Sequence, residues 1–482
     1  MQPRGRWLCH PAFLFVLSLL LTIVLYAPTL KAFLIWDDVA ILPIVSTPGI
    51  TGWLRCIQPV DNGFIRPATL LLFKICYSLA GTVPVYYHVS ALLIHALVAT
   101  VTGLLAMRLV PTRNWIGLLA CLMLTTHFGA FGIASQLSNS CDSIAALGIL
   151  LAVLYWDKWL AEAGRVSLWP VWVGFVIALA GKELGVVTPA VLFLFTVGRR
   201  ALDRRSVRAL LRLGVAAGAY LALNLWLQVT AKISYVNIGE IKISSGGVLP
   251  RFLNYVANSY LPFLTVLDWP LPHFHTTGSG LRIVRRASAA LLIISIVASL
   301  VRTRYRLPAC MVLCAAVVLL PVAPLHSFPM PRFIYSALPF TILAMLTYLA
   351  LARVPIRSAG IVLLLQLWLV FIWSVRWSPN TLHFLRTSRA WKKFVSEVGR
   401  ESAAWAPGST ITVYTNFDHR GRKHISTPYG LALFRVFYPN LLADYVSNKV
   451  LPRTTHQYRF DGHKLTPVTD DDKTTASGQN PQ

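Results

Sequence analysis

Apolar runs of near-spanning length, separated by short hydrophilic gaps, recur from Leu14 almost to Trp377, and there the pattern stops. A helix needs about 20 apolar residues to cross a bilayer, so the pattern predicts a polytopic α-helical membrane protein rather than a chain built on one globular core. The first run follows Arg4 and Arg6 in "MQPRGRWLCHPAFLFVLSLLLTIVLYAPTLKAF" and lacks a small-x-small cleavage site, which reads as a retained first transmembrane helix. Further spans are read at 87–107, 115–133, 142–160, 210–229, 287–301, 308–325, 333–352 and 358–377. The stretch "LWPVWVGFVIALAGKELGVVTPAVLFLFTVGRR" is long enough for one tilted helix or two short ones. A single crossing would leave Arg199, Arg200, Arg204, Arg205, Arg208 and Arg212 outside, against the bias of basic residues towards the cytoplasm. Two short helices meeting at Lys182-Glu183 are therefore expected. The sum is eleven spans, with the N-terminus cytoplasmic and the chain after 377 outside.

Composition agrees with this division. Of 482 residues, 56% are hydrophobic and only 13% charged, with mean hydropathy +0.60, which calls for an apolar surrounding beyond one core. A net charge of +26 raises the possibility of nucleic acid, but Arg and Lys fall mainly in the short gaps between apolar runs, where they record topology. No nucleic-acid partner is read. Seven cysteines lie mostly inside apolar runs without CxxC spacing, so neither a zinc site nor a disulfide scaffold is indicated. Cys56 and Cys76 share one loop and read as two unpaired thiols.

Under this topology the costly polar residues gather on one side. Trp36, Asp37 and Asp38 follow the first helix on the extracytoplasmic face. Arg66, His88, Asn139, Asp142, Lys182, Glu183, His326, Arg332 and Tyr335 also map to outer ends or loops, as one polar cavity at the outer leaflet requires. The extracytoplasmic loop 31–86 contains "RPATLLLFKICYSLAG", read as an amphipathic helix at the interface. The second outer loop, 230–286, contains the similar "VLPRFLNYVANSYLPFL". One discord is that Arg282, Arg285 and Arg286 fall on the outer side. Acids beside bases suit transfer from a phosphorylated donor: a carboxylate takes the proton of an attacking hydroxyl while Arg and Lys neutralise a departing phosphate.

The order "WDD", "FIRP", "PVYYHVSALLIH", "CDSIAAL", "GKELGVVTPAV", "PRFIYSALP" resembles the GT-C membrane glycosyltransferases. Within them it is most similar to the branch of protein O-mannosyltransferases, tetratricopeptide-linked O-mannosyltransferases and bacterial relatives, over roughly residues 10–350. The resemblance implies a polyprenyl-phosphate-linked sugar donor and inversion at the anomeric centre. It implies that Asp37 or Asp38 is the general base, Asp37 aligning with the leading acid, and that Arg332 and Tyr335 approach the donor phosphate. Lys182 and Glu183 form a charged pair beneath the cavity. Lys182 and Arg66 join the phosphate-binding set, with Glu183, His88, Asp142 and Asn139 in support. The chain departs from the pattern at Ala91, where an Asn is expected, and at Ser140, where an Arg is expected nearby. The tail shows no 34-residue helical repeat.

Each of these residues also has a plainer reading. Asp37-Asp38 could cap a helix at the membrane surface. His88 and His95, seven apart on one helical face, read first as buried hydrogen-bonding residues rather than metal ligands, and Lys182-Glu183 could be a structural ion pair. Arg66 could anchor an interfacial helix to lipid phosphate. No HxxE or acidic cluster backs a divalent metal between the two acids, and no other cofactor is implied.

The tail, 378–468, reads as a small extracytoplasmic α/β domain. It has a helix in "SRAWKKFVSEVGRESAAW", a strand in "STITVYTN", a short helix in "YGLALFRVFYP", a strand in "DYVSN" and a hairpin turning at Asp461-Gly462. Residues 469–482 read as disordered. The expected function is sugar transfer from a polyprenyl-phosphate donor to a hydroxyl-bearing protein, lipid or glycan acceptor on the extracytoplasmic face, which in a prokaryote is that of the plasma membrane. The rivals are a non-catalytic flippase or transporter of lipid-linked glycans and a lipid-linked glycan polymerase or ligase. A transporter would show midplane charges and an inverted repeat, and a polymerase would lack the early acidic pair.

Overall fold

The computed structural model describes residues 10–35, 37–58, 65–113, 115–163, 165–230, 248–260, 302, 304–323, 331–351, 379–402, 410–415, 442–445, 456–460 and 465–467. The helices, in chain order, are α1 (Pro11–Leu30), α2 (Asp37–Val45), α3 (Gly49–Arg55), α4 (Pro67–Ala80), α5 (Pro84–Leu109), α6 (Trp115–Thr125), α7 (Phe131–Ser135) and α8 (Ser140–Ala161). They continue with α9 (Trp169–Gly181), α10 (Thr188–Arg199), α11 (Arg204–Thr230), α12 (Val248–Tyr260), α13 (Arg306–Leu319), α14 (Pro331–Ile334), α15 (Leu338–Leu351) and α16 (Pro379–Ser402). Four strands follow: β1 (Thr410–Thr415), β2 (Leu442–Tyr445), β3 (His456–Phe460) and β4 (Leu465–Pro467). The chain divides into two compact units. One comprises Met1–Ala27, Ile57–Leu72 and His88–Thr381; the other comprises Pro28–Cys56, Phe73–Tyr87 and Leu382–Gln482.

Among the described residues, five helical stretches are long and apolar enough to cross a membrane: Pro11–Leu30, Pro84–Leu109, Leu137–Ala161, Arg204–Leu227 and Arg332–Leu351. The protein is an integral membrane protein. Shorter apolar helices accompany these stretches at Pro67–Ala80, Trp115–Thr125, Trp169–Gly181 and Arg306–Val322. The expected spans at 287–301 and 358–377 lie outside the described residues. So do Arg282, Arg285, Arg286 and His326, as well as Trp36 of the acidic motif. The expected span 115–133 is not continuous: α6 ends at Thr125, a 3-10 turn covers Phe128–Ala130, and α7 restarts at Phe131. The cause is local. The Gly129 N–H donates to His127 Nδ1 at 3.0 Å instead of continuing the helical ladder, in a stretch that carries two glycines of poor helix propensity.

The stretch 168–200 does divide, with α9 ending at Gly181, Lys182 extended, a 3-10 turn over Glu183–Val187 and α10 beginning at Thr188. In the first unit α8 and α9 meet backbone to backbone. A methyl group at Gly148 would stand 2.3 Å from the Ala178 nitrogen, one at Gly174 2.6 Å from the Ala152 nitrogen, and one at Gly181 2.7 Å from the Ala145 nitrogen. Small residues recur at helical spacing on both helices, which is how membrane helices approach closely where lipid offers no hydrophobic drive. The ladder is antiparallel, since positions rise along α9 as they fall along α8, and it delivers the C-terminal end of α9 to the N-terminal end of α8. Trp156 closes the other end of the seam, fully buried, stacked on Trp159 at 4.8 Å and donating from Nε1 to Thr196 Oγ1 at 2.8 Å.

The expected interfacial helix of the 31–86 loop is α4, of which Pro67–Leu72 belong to the first unit and the remainder to the second; α2 and α3, in the second unit, were not anticipated. Lys74 of α4 is buried and donates to the carbonyls of Val45 and Thr47 at 2.8 and 2.7 Å, satisfying the chain between α2 and α3. Cys56 and Cys76 are free thiols. On α16 the apolar stripe Phe384, Trp391, Phe394 and Val398 is buried, and Ser388 Oγ accepts the Phe33 N–H at 2.6 Å. The strands form one sheet in the order β2-β1-β3-β4, parallel at β2/β1 and β1/β3 and antiparallel at β3/β4. The β2 strand begins two residues ahead of the expected "DYVSN" strand. The anticipated helix at 429–439, the hairpin turn and 469–482 lie outside the described residues.

The seam yields a test of the fold. Gly174→Leu forces a side chain into backbone that cannot move aside, and should lower the apparent unfolding temperature in detergent by about 5 °C or more. Gly218→Ala, on α11 with nothing within 4 Å of the added carbon, should leave it unchanged or raised. Equal behaviour of the two variants in a fluorescence melt would reject the close approach.

Candidate functional site

Because α9 reaches the start of α8, Lys182 arrives beside Asp142. Its Nζ lies 2.6 Å from Asp142 Oδ1, with the two side chains only 14% and 4% exposed. Lys182 is in extended backbone, so the next residue faces elsewhere: Glu183 accepts a two-pronged contact from Arg66, Nε to Oε1 and Nη2 to Oε2, both at 3.1 Å. The expectation that Lys182 and Glu183 pair with each other is therefore corrected. Adjacent in sequence, they hold two different helices through two separate ion pairs.

Four further residues complete the group. Arg332, at the start of the 331–351 stretch, donates from Nη1 to Asn139 Oδ1 at 2.7 Å, while Asn139 Nδ2 donates to the Gly132 carbonyl and Gln136 Oε1, each at 2.8 Å. The Phe333 ring is flanked by Lys182 Nζ at 5.7 Å and the Arg332 guanidinium at 5.2 Å from its centroid. Ser336 Oγ donates to the Asp142 carbonyl at 3.2 Å and so binds the start of α15 to α8. Asn139 and Asp142 lie within one turn of each other at the start of α8, and Lys182 and Glu183 are consecutive, so the hydrogen bonds of Arg332, Lys182 and Arg66 bring the three cations to one end of the helix. Five charges stand together, three positive and two negative. A partly buried, hydrogen-bonded arrangement of this kind holds long cationic side chains in fixed positions, which is what recognition of an anion requires.

Other expected residues lie elsewhere. Tyr335, expected near a donor phosphate, is fully buried in the apolar core, its hydroxyl 2.7 Å from His95 Nδ1, and His95 Nε2 lies 3.3 Å from the Thr125 carbonyl. The buried-histidine reading fits His95 on this geometry. His88 is also fully buried. Asp37 and Asp38 belong to the second unit, where they are the first two residues of α2 and place negative charge at a helix N-terminus. Asp38 is 1% exposed, whereas Asp37 is partly accessible.

Sequence reasoning missed Tyr220, whose hydroxyl donates to the carbonyls of Leu179 and Ile65 at 3.2 and 3.4 Å and so ties the approach to Lys182 to the approach to Arg66. A tyrosine on a long apolar helix carries no signal of that role. It also missed Ser336 and Phe333, although Phe333 directly follows Arg332.

At the other end of α8, Asp157 is clamped between Arg108 Nε and Arg199 Nε, each at 2.8 Å. Fifteen positions separate it from Asp142, about 22 Å along the helix. These two charged groups therefore occupy opposite ends of α8.

No protein-family profile and no curated protein sequence matches the chain. Among solved structures, it is similar to ArnT from Cupriavidus metallidurans bound to undecaprenyl phosphate, at 14% identity and TM-score 0.44, over 92% of this chain and 90% of that one. It is similar to the same protein in the apo state at 14% identity and TM-score 0.44, over 90% and 89% of the two chains. The overlap is extensive but loose, and the site stands on its own geometry.

The Asp142–Lys182 pair is testable apart from any activity. Asp142→Asn leaves the half-buried Lys182 ammonium without its carboxylate and should cost about 1–3 kcal/mol, while Asp142→Asn with Lys182→Met should recover most of that loss. A double variant no more stable than Asp142→Asn, measured by thermal or denaturant unfolding in detergent, would rule out the pairing.

Proposed function

We propose that this protein is a GT-C-type membrane glycosyltransferase that moves a sugar, hexosyl or mannosyl in class, from a polyprenyl-phosphate carrier to a hydroxyl-bearing acceptor. The observation that carries the reading is the convergence of Arg66, Lys182 and Arg332, from three distant parts of an apolar chain, around Asn139, Asp142 and Glu183. Intramembrane charge is expensive and is kept where it serves a substrate or ion. Three fixed cations at the end of a helical bundle suit the phosphate of a lipid carrier, and arginine grips phosphate oxygens with its planar fork.

In the proposed reaction the acceptor hydroxyl attacks the anomeric carbon, its proton passes to Asp37, and the bond to the carrier phosphate breaks with inversion. Arg332 and Lys182 neutralise the charge that develops on the leaving phosphate, with Arg66 and Glu183 holding the α9–α10 link in position. Asp37 is favoured over Asp38 as base because it is the accessible member of the pair; a base must reach solvent and substrate, and Asp38 is closed off. The reading puts the N-terminus in the cytoplasm, the reaction on the extracytoplasmic face, and the tail in acceptor selection.

The decisive assay uses purified protein, radiolabelled polyprenyl-phosphate sugars and membrane extract as acceptor. Asp37→Asn should reduce transfer at least about a hundredfold with donor binding retained, and Arg332→Gln should weaken donor binding. Loss of tenfold or less for both Asp37→Asn and Asp38→Asn would remove the carboxylate from the mechanism. If label never left the lipid yet crossed the membrane of reconstituted vesicles, the flippase reading would replace this one.

A further inference from the structure

The end of the first unit remote from the polar cluster holds a groove of about 550 Å3 between the last turns of α5 and α8. On α5 it is lined by Leu104, Met107 and Arg108, and on α8 by Leu154, Tyr155 and Lys158. The spacing explains the grouping, since positions three and four apart share a helical face. The floor is apolar and the rim is cationic. Arg108 is pinned to Asp157 through Nε, so its guanidinium is fixed in place while its side chain stays 37% exposed. Lys158 is exposed one residue after Asp157, and Tyr155 is 40% exposed one turn earlier. Asp157 is shared with Arg199, so its negative charge is already answered twice.

We propose that this groove binds an anionic phospholipid, an acyl chain lying along Leu104, Met107 and Leu154 and the phosphate resting between Arg108 and Lys158. Two features select that occupant. The groove lies at the boundary where apolar spans give way to basic residues, the depth of a lipid headgroup, and basic pockets between spanning helices suit anionic heads. Its two rim cations and apolar floor match a molecule charged at one end and apolar along its length. A soluble anion would leave the floor uncovered. The site is about 22 Å along α8 from the cluster assigned to the carrier, and it stands independently of the proposed reaction.

The test is native mass spectrometry of the full-length, detergent-purified protein with phosphatidylglycerol and phosphatidylcholine of identical acyl chains. Each cation near the headgroup contributes about fivefold in affinity, so phosphatidylglycerol should be retained at least about tenfold more tightly, and Lys158→Gln should lose about fivefold of that preference. Lys158 lies outside the Asp157 clamp, so its replacement should leave the lipid-free unfolding temperature unchanged. Leu154→Trp, which fills the floor and keeps both cations, should abolish retention. Millimolar inorganic phosphate should displace little of the bound lipid. Equal retention of the two lipids, wild-type binding by Lys158→Gln, or full displacement by phosphate alone would overturn the assignment; the last would mean a simple anion site.

Discussion

The close approach of α8 and α9 brings Lys182 to Asp142, and the polar cluster of the first unit is built around that meeting. Gly148, Gly174 and Gly181 let two backbones touch where any larger side chain would hold them apart. Once that ladder is in register, the last residue before the α9–α10 break can only arrive at the first turn of α8. The salt bridge between Lys182 and Asp142 is thus a consequence of small residues some distance from it, not a contact that two charges found by attraction. This order of cause matters in a membrane, where unpaired charge is costly and a pair must be brought together by packing rather than wait for it.

The link between α9 and α10 converts that packing into a site. An extended residue followed by a 3-10 turn points consecutive side chains in different directions, so one dipeptide ties α8 on one side and the segment before α4 on the other. Arg332 enters from far along the chain and donates to the Asn139 side chain at the start of α8. The group therefore joins three cations, two carboxylates and an amide through contacts between residues distant in sequence. The Asp157 clamp does the reverse at the far end, spending two guanidiniums on one carboxylate to pin α5 and α10 to α8.

Much of this was legible from residue types alone. In so apolar a chain every polar or ionisable residue within a span demands an explanation, so Asn139, Asp142, Lys182, Glu183 and Arg332 stood out, and charge parity located the break at Lys182-Glu183. Their partners did not stand out. Arg66 and Glu183 are separated by 117 positions and His95 and Tyr335 by 240, and no local period encodes which distant residue returns to which. Sequence adjacency suggested that Lys182 would answer Glu183, and one extended residue was enough to defeat it. The role expected of Tyr335 came from the resemblance alone, and residue type gave no sign that its hydroxyl would be buried against His95. The break after Thr125 turned on a histidine side chain capturing a backbone N–H, an event that hydropathy does not record.

The two charged ends of α8 have a consequence for how the helix meets lipid. Asp142 and Asp157 lie about 22 Å apart along the helix, less than the ~30 Å hydrocarbon core of an ordinary bilayer, yet both are buried and answered by cations from neighbouring segments. The helix turns these carboxylates towards protein and away from lipid. The 25-residue stretch Leu137–Ala161 can therefore span the full thickness of a bilayer without offering either carboxylate to hydrocarbon.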